Sequence, residues 1–412
     1  MVPPDGSALV AIVGAGVFTP AGNSVSELWA SLCAGRSFAA VYRDDRLPPG
    51  ADMLVGTVSG FDPAAYLSPI EVRRLDRTHA LAFGAAQDAV DQCGGRLPPP
   101  DRRAIVCGVG MGAETTYAEQ LVRLLSSGVR AMSPVTVPLV MSSSVAAHLS
   151  LRFGVEGPCL TVSTACASGA SAIAEGVELL RRRSADLVLA GGVESLLSYS
   201  AMCAFLRLEA MSRNVGCPEL ASRPFDVNRD GFVMAEGAGF VVLQRLDDAV
   251  ATGRDPLGLV LGHASGSDAH HLVAPTPGGE GALRCMRSAL ADAGAEPADV
   301  SHVNAHGTST VLNDAAEAAA LSSLFGGPTP PVTAVKGATG HMIAGSGAVE
   351  AIVTVVSLRT GLVPPVAGLR TLDPQITIDV VHGAARPVSP GLGLSNSFGF
   401  GGANTSLVLA AG

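Results

Sequence analysis

The chain has 412 residues, of which 48% are hydrophobic and only 15% are charged, and its mean hydropathy is +0.37. A composition this apolar argues against a disordered chain, and the length predicts one large domain or two fused domains with extensive burial. The net charge of −9 and an isoelectric point of about 5.5 argue against nucleic acid as the main partner.

The N-terminus, MVPPDGSALVAIVG, lacks the basic region and the long apolar run of a signal peptide. No window is expected to span a membrane, since even the charge-free stretch between Arg130 and Arg152 carries two prolines and several serines. Eight cysteines at irregular spacings form no zinc or disulfide framework, and no metal is expected. These features predict a cytoplasmic protein.

The first apolar run, ALVAIVGAGVFTPAG, predicts a buried strand. Phe18, Thr19 and Pro20 follow its G-x-G where a dinucleotide site needs a third glycine, which argues against such a site. Further strand-like runs are RAIVCGVG, DLVLAGG, GFVVLQRL, HVNAHG and SLVLAA, and the helical runs between them are THALAFGAAQDAV, SGASAIAEGVELLRRR, GALRCMRSALADAG, AAEAAALSSLF and SGAVEAIVTVVSLRTG. This alternation predicts an α/β fold with largely buried sheets. The joint near 250–258 predicts two halves, 1–252 and 253–412.

A cysteine with small neighbours stands in TVSTACASGASAIAEG, residues 161–176. The strand-like CLTVS precedes Cys166, and residues 167–182 have helical periodicity, so the thiol is predicted at a strand-to-helix turn. There the helix dipole and the free N–H groups stabilise a thiolate and lower the pKa of the thiol. This segment alone leaves open whether Cys166 is a nucleophile or a structural cysteine.

Two histidines stand in similar small surroundings. VNAHGTSTVLNDAAEAAAL places His306 after a strand, with Asp314 and Glu317 on a following helix. VKGATGHMIAGSGAVEA places His341 five residues after Lys336, the only lysine among 27 basic residues. A lone histidine after a strand is more often structural, but this grouping favours chemistry. Neutral imidazoles can donate hydrogen bonds to an enolate or an oxyanion and can move protons near pH 7.

A glycine-rich turn between two strands occurs in LSNSFGFGGANTSLVL. Its backbone could supply an N–H to an oxyanion and could move, because glycine permits unusual dihedral angles. The alternative is a plain tight hairpin.

Six motifs together resemble the β-ketoacyl-acyl carrier protein synthases, the condensing enzymes of fatty acid and polyketide synthesis. They are STACASG around Cys166, AGGVES at 190–195, RPFDVNRDGFVMAEGAG at 223–239, NAHGTST at 304–310, KGATGH at 336–341 and NSFGFGGANTS at 396–406. They cover nearly the whole chain in the family's order. The resemblance implies the thiolase fold, in which two related α/β halves form five αβαβα layers, usually in a dimer.

The resemblance also implies a reaction. An acyl chain passes from the phosphopantetheine of a carrier protein to Cys166, and a malonyl-type extender loses CO2 and attacks the thioester. His306 and His341 match the two histidines that stabilise the enolate and assist decarboxylation. The protein needs no cofactor of its own, since phosphopantetheine arrives on the carrier protein.

Three further roles come from the same resemblance. Lys336 matches the lysine that orders the site, with Glu317 as its expected partner. The N–H groups of Cys166 and Phe400 match the oxyanion hole, and Phe400 also matches the gating phenylalanine.

The chain departs from the family at its acyl pocket. Gly337 removes a hydroxyl after the lysine, and Met111 stands where the family's chain-length gate usually lies. Val135 and Thr136, in a segment expected to line the pocket across the dimer, replace phenylalanines, and serines at 142–144 replace apolar groups. These residues predict a wider, more polar pocket, unless they only repack the core.

A carrier protein of this pathway is acidic, so an enzyme of net charge −9 needs a local basic patch. Arg73 and Arg74 at the start of a predicted helix and Arg207 match the family's docking residues, although Ile70 stands where a lysine is often found. The alternative is that the three are ordinary solvated arginines.

Three other functions compete with an elongating synthase. A chain-length factor shares the fold but lacks the nucleophile, and Cys166 argues against it. A priming synthase or a thiolase uses other partners for its cysteine, and His341 argues against both. A binding protein with an inactive site has no need to keep Cys166, His306, Lys336 and His341 together. The sequence leaves open whether the protein is a homodimer or a heterodimer with a chain-length factor. It also leaves open whether the pathway is type II polyketide or specialised fatty acid synthesis, and which chain length and extender are used.

Overall fold

The computed structural model describes residues 8–43 and 52–412. The strands within these residues are β1 (Val10–Phe18), β2 (Ala40–Tyr42), β3 (Met53–Gly56), β4 (Arg103–Gly108), β5 (Cys159–Val162), β6 (Leu187–Glu194), β7 (Met234–Ala235), β8 (Gly237–Arg245), β9 (Gly258–Ser267), β10 (Val300–Asn304), β11 (Val332–Thr333), β12 (Leu362–Val363), β13 (Arg386–Pro387), β14 (Leu392–Gly399) and β15 (Ala403–Ala411).

The α-helices of the same residues are α1 (Val25–Cys33), α2 (Pro69–Arg74), α3 (Arg77–Cys93), α4 (Glu114–Ser127), α5 (Thr136–Val140), α6 (Ser144–Phe153), α7 (Ser168–Arg181), α8 (Tyr199–Arg207), α9 (Leu246–Ala251), α10 (Glu280–Ala293), α11 (Val311–Phe325), α12 (Lys336–Thr339) and α13 (Ser346–Thr360). All the strand-like and helical runs predicted from the sequence are confirmed. The strand β9 was missed, because only the first half of GLVLGHASGS is apolar.

Ten strands form one mixed sheet in the order β11-β10-β14-β15-β9-β1-β8-β6-β4-β5. Outward from the β9–β1 junction, one side of the sheet has the order β9, β15, β14, β10, β11 and the other side has the order β1, β8, β6, β4, β5. If the five strands of each side are numbered along the chain, both orders are first, fifth, fourth, second and third. Within the described residues, the two sides of the sheet are joined only where residues 10–12 of β1 pair antiparallel with 258–260 of β9. The chain therefore folds as two halves of one repeated topology, as the resemblance implies.

Helices cover and separate the two halves of the sheet. Helix α3 packs on β1 and β8, and α10 packs on β9 and β15. Helix α7 packs on β4 and β6, α13 packs on β8 and β14, and the two helices contact each other in the middle. The result is five layers, αβαβα, which confirms the expected fold class. The central layer matters for function, because both of its helices begin after predicted site residues.

Small residues let these two central helices approach closely. A Cβ added at Gly169 would lie 2.5 Å from the carbonyl oxygen of Ala344, and one added at Gly347 would lie 2.8 Å from the amide nitrogen of Ala170. Neither distance leaves room for a side chain. The motif Ser-Gly-Ala therefore recurs at the start of α7 and of α13 for a packing reason.

By length and hydropathy alone, the segment Ile343–Thr360, which contains α13, would qualify as a membrane span, contrary to the sequence expectation. Of this segment, 78% is buried inside the protein. A helix of the central layer is apolar all round because sheets pack on both of its sides.

Candidate active site

Cys166 lies on a sharp turn between a strand and a helix, as predicted. Strand β5 ends four residues before it, and a single 3-10 turn, Ala165–Ala167, leads into α7. Ala165 has a left-handed backbone with φ of 50°. The hydroxyl of Ser168 accepts a hydrogen bond from Thr164 N–H at 2.9 Å and donates one to the carbonyl oxygen of Ala165 at 2.6 Å. These two bonds hold the strained turn that presents the sulfur.

The thiol of Cys166 is buried, with 5% of the residue exposed. Burial raises its pKa to about 11, while the charge of Lys336 and hydrogen bonds from the backbone N–H groups of Phe400 and Cys166 lower it. The prediction of a depressed pKa is therefore wrong, because desolvation of the thiolate outweighs the favourable groups. The same contacts place both expected oxyanion-hole donors beside the sulfur.

The ring of His341 is held in one tautomer. Its Nδ1 accepts a hydrogen bond at 3.2 Å from the backbone N–H of Ile343, which can only donate. The proton of the neutral ring is therefore on Nε2, and this buried atom has no hydrogen-bond partner among the described residues. Phe232 packs edge-on against the ring, with centroids 5.4 Å apart. His341 thus offers an unpaired N–H donor.

The ring of His306 is held by the ammonium of Lys336. Lys336 Nζ lies 3.2 Å from His306 Nδ1, 2.6 Å from the carbonyl oxygen of His306 and 2.5 Å from Glu350 Oε1. The three donors of the ammonium are thereby used, and the proton of His306 is placed on Nε2. A planar guanidinium cannot donate three short hydrogen bonds to these three atoms. This explains why residue 336 is a lysine, although all the other Lys or Arg residues of the chain are arginines.

The prediction that Glu317 is the partner of Lys336 is wrong. The carboxylate of Glu317 instead accepts the backbone N–H groups of His306 at 2.8 Å and of Gly307 at 2.9 Å. The partner is Glu350 on α13, which sequence reasoning missed. A signal was present, since Glu350 is the only charged residue between His341 and Arg359. An isolated charge in so apolar a run requires a buried counter-charge.

Both histidines are neutral at physiological pH. Burial lowers the pKa of His306 well below its usual value, and the charge of Lys336 and the ring of His341 add to this. Burial and Lys336 lower the pKa of His341 in the same way. Burial raises the pKa of Glu350, and the ammonium of Lys336 opposes that rise. The site thus combines one buried ion pair with two neutral donors.

The three groups converge on one point. The sulfur of Cys166 and ring nitrogens of His306 and His341 lie within 4.8 Å of one another, and the two rings meet edge to face. Thiol and imidazole are also soft-metal ligands, and this is the one set of three such buried groups in the described ranges. The spacing brings two N–H donors to bear on a molecule attached at the sulfur.

These residues lie at the wall of a cavity of about 540 Å³. Met111, Phe205, Phe232 and Phe398 contribute to its apolar lining, and Phe400 lines it as expected. An apolar cavity beside a buried thiol can hold an acyl chain and exclude water.

Val135 and Thr136 do not line this cavity within the described part of one chain. Thr136 is buried and donates to the carbonyl oxygen of Ser133 at 2.7 Å. Their place in a pocket shared across a dimer stays a prediction. The hydroxyl of Ser144 is bonded to His79 Nε2 at 2.8 Å inside its own chain, and the place of serines 142–144 in that pocket likewise stays a prediction.

The arginines predicted to dock a carrier protein are all exposed. Arg73 and Arg74 lie in the last turn of α2, rather than at the start of a helix. Arg207 ends α8 and precedes Leu208, which lines the cavity.

Comparison with known proteins agrees with the fold. Residues 8–249 match the family described as Beta-ketoacyl synthase, N-terminal domain, and 257–370 match Beta-ketoacyl synthase, C-terminal domain. The 3-oxoacyl-[acyl-carrier-protein] synthase 2 of Synechocystis sp. is 35% identical over 402 residues, which are 97% of each protein.

Three solved structures are also similar. A Beta-ketoacyl synthase from Burkholderia phymatum has a TM-score of 0.91 at 31% identity, covering 98% of this chain and 100% of that one. A type II PKS acyl-carrier protein in complex with its ketosynthase has a TM-score of 0.91 at 26% identity over the same shares. A ketosynthase in complex with its chain length factor from Xenorhabdus doucetiae has a TM-score of 0.84 at 27% identity, covering 99% of each.

A duplicated five-layer fold with a cysteine, two histidines and a lysine at its centre defines the condensing enzymes of the thiolase type. The chain belongs to the β-ketoacyl synthase family. It is an acyltransferase-type condensing enzyme of fatty acid or polyketide biosynthesis.

The raised pKa of Cys166 predicts how its reactivity depends on pH. The thiolate is the nucleophile, so alkylation by iodoacetamide should rise about tenfold for each unit of pH between 7 and 9. Mass spectrometry of the peptide that contains Cys166 measures the rate. A rate that is already constant at pH 7 would contradict the raised pKa. The exposed Cys217 provides an internal control for access of the reagent.

Proposed function

We propose that this protein is a decarboxylating β-ketoacyl synthase that extends acyl chains on a discrete acyl carrier protein, in type II polyketide or specialised fatty acid biosynthesis. The observation that carries the proposal is the convergence of the Cys166 sulfur with two neutral imidazoles whose protons are fixed on Nε2. No cofactor of its own takes part, since phosphopantetheine belongs to the carrier protein.

In the first step the sulfur of Cys166 attacks the carbonyl carbon of the carrier-bound acyl thioester. The carbon–sulfur bond to phosphopantetheine breaks, and that thiol leaves with the proton that Cys166 gives up. The tetrahedral oxyanion accepts hydrogen bonds from the N–H groups of Cys166 and Phe400, which already face the sulfur. The acyl chain then occupies the apolar cavity.

In the second step a malonyl-type thioester binds with its carbonyl oxygen near Nε2 of His306 and His341. Loss of CO2 leaves the electron pair of the broken carbon–carbon bond on the enolate, whose oxygen accepts both Nε2–H groups. Neutral donors suit this task, because they stabilise the enolate without protonating its carbon. The enolate carbon attacks the acyl-Cys166 carbonyl, and the Cys166 thiolate is released.

Substitutions at these residues should separate the steps. Cys166→Ala should abolish both acylation and condensation. His306→Ala and His341→Ala should still accept some acyl chain on Cys166 but lose condensation by about 10²-fold or more, because each removes an enolate donor. Intact-protein mass spectrometry measures acylation, and release of CO2 from malonyl-carrier protein measures the second step.

The matched control is His302→Gln, which replaces a buried histidine of β10 that does not line the cavity. Wild-type turnover by either site variant, or full acylation of Cys166→Ala, would contradict the proposal. An equal loss in His302→Gln would show that the losses come from misfolding.

The proposed carrier protein docks on the exposed arginines Arg73, Arg74 and Arg207. The position of Arg207 beside the cavity-lining Leu208 supports this docking surface. The chain as a whole carries a net charge of −9, so an acidic carrier protein needs a local basic patch. Each exposed ion pair contributes roughly 0.2–1 kcal/mol and acts mainly on the rate of association.

Reversing all three arginines to glutamate should raise the apparent KM for carrier-bound substrate. Activity toward a short thioester without a carrier should hardly change. The control reverses Arg182 and Arg183, which directly follow the far end of α7, about 21 Å or more from Cys166. Equal loss with both substrates would indicate misfolding, and no loss with either would place the docking surface elsewhere.

The partner chain proposed for the enzyme is a second chain of the same fold. Leu125 and Val129, on α4 and just after it, are 78% and 73% exposed, and Val137 on α5 is 68% exposed. Strand β5 is an uncovered sheet edge in the described residues. An apolar face beside a free edge strand suits pairing of two copies. Native mass spectrometry of the purified chain should show a dimer, and an inactive monomer would favour a separate chain-length factor.

A chain-length factor is the alternative function, and the complete set of Cys166, His306 and His341 opposes it. The cytoplasm is the proposed compartment, supported by eight free cysteines.

A further inference from the structure

Glu194, the last residue of β6, belongs to the motif AGGVES, which the reaction described above does not use. Its side chain is completely buried. The carboxylate accepts backbone N–H groups of three consecutive residues: Gly110 at 2.7 Å, Met111 at 3.2 Å and Gly112 at 3.0 Å. Residues 110–112, here called the gate segment, connect β4 to α4.

The gate segment fits the carboxylate closely. A Cβ added at Gly110 would lie 2.2 Å from Glu194 Oε2, so only glycine allows this approach. Gly112 has φ of 68°, a left-handed conformation that favours glycine. Three charge-assisted hydrogen bonds thus hold a loop that has little regular structure of its own.

Both ends of this contact reach the acyl site. Gly110 and Met111 line the cavity that contains Cys166, and the charge of Glu194 acts on the thiol of Cys166. Met111 is 54% exposed, so its packing against other side chains does not fix the loop. The position of Met111 in the cavity wall depends on the hydrogen bonds of its backbone.

We propose that Glu194 is a positioning residue that sets the acyl chain selectivity of the enzyme, by holding the gate segment and therefore Met111 in one place. This inference rests on the proposed function, since it concerns the acyl chain that Cys166 accepts. Residues that hold the wall of a pocket determine which chain length fits, although they do not touch the chain.

The test replaces Glu194 with Gln, which keeps the shape but sets an NH2 group against a backbone N–H. The probes are hexanoyl and dodecanoyl thioesters of N-acetylcysteamine, and the measurement is kcat/KM for acylation of Cys166. The dodecanoyl-to-hexanoyl ratio should rise about tenfold in Glu194→Gln, because the weakened loop lets Met111 move out of the path of a longer chain. An unchanged ratio would overturn the proposal.

A double-mutant cycle shows whether Glu194 acts through Met111. In a Met111→Ala background the gate side chain is already absent, so Glu194→Gln should leave the ratio unchanged. An additive change in the double variant would overturn the proposal.

The matched control is Glu236→Gln. Glu236 is also buried and accepts the N–H of Val58 at 3.0 Å and the hydroxyl of Ser195 at 2.8 Å, but no hydrogen bond joins it to the gate segment among the described residues. It should lower stability without changing the ratio. An equal shift of the ratio in Glu236→Gln would show that the loss of any buried carboxylate loosens the pocket, which would contradict the proposal.

Amide hydrogen exchange tests the proposal on the wild-type enzyme, so the result does not depend on whether a variant folds. The amides of Gly110, Met111 and Gly112 should be protected despite lying in a loop, and fast exchange at all three would overturn the proposal. This measurement is independent of the proposed function, which fails separately if the wild-type enzyme accepts neither thioester on Cys166.

Discussion

The buried ammonium of Lys336 is the interaction on which the site depends. It joins the ring and the backbone of His306 to Glu350 on α13, so the chain segment after β10 and the central helix are fixed relative to each other. Its charge also helps to keep both imidazoles neutral. Removing one partner of such a pair would leave an uncompensated buried charge, which costs about 3–5 kcal/mol. One cation therefore supports geometry, protonation and stability.

The apolar cavity works against the nucleophile that it surrounds. Burial suits an acyl chain and excludes water, but it also stabilises the neutral thiol of Cys166 over the thiolate. The N–H groups of Cys166 and Phe400 offset part of this effect in the resting site. In the proposed reaction the same donors would face the acyl oxygen, and so serve the sulfur and the oxyanion in turn. A preformed polar contact in dry surroundings contributes more than it would in water.

The sequence was sufficient for the two central helices and for most strands of the sheet, but not for β9. The periodicity of apolar residues indicates which face of an element is buried. A cysteine or histidine surrounded by glycine and serine contributes little to a packed core, so its presence points to another role. The spacing from Lys336 does not decide between Glu317 and Glu350, because one precedes the lysine and the other follows it, each on a helix. The isolation of Glu350 in an apolar run is the sequence signal in its favour, and the position of α13 beside the site selects it. The predicted pKa of Cys166 was wrong for a similar reason, since desolvation is a property of the whole packed core. The predicted roles of Val135 and Thr136 depend on a second chain.

The repeated turn at the start of the two central helices has an electrostatic consequence. Ile343–Gly345 forms a 3-10 turn before α13, as Ala165–Ala167 does before α7, and Ile343 has a similar left-handed φ, 46°, although it is β-branched. Residues of both turns, Cys166 and Ile343 among them, line the same cavity. The positive ends of two helix dipoles therefore lie near the place where, in the proposed reaction, a carboxylate enters and an enolate forms. The duplication of the fold therefore brings one helix N-terminus from each half to the site, and the backbone of both contributes to a field that favours anions.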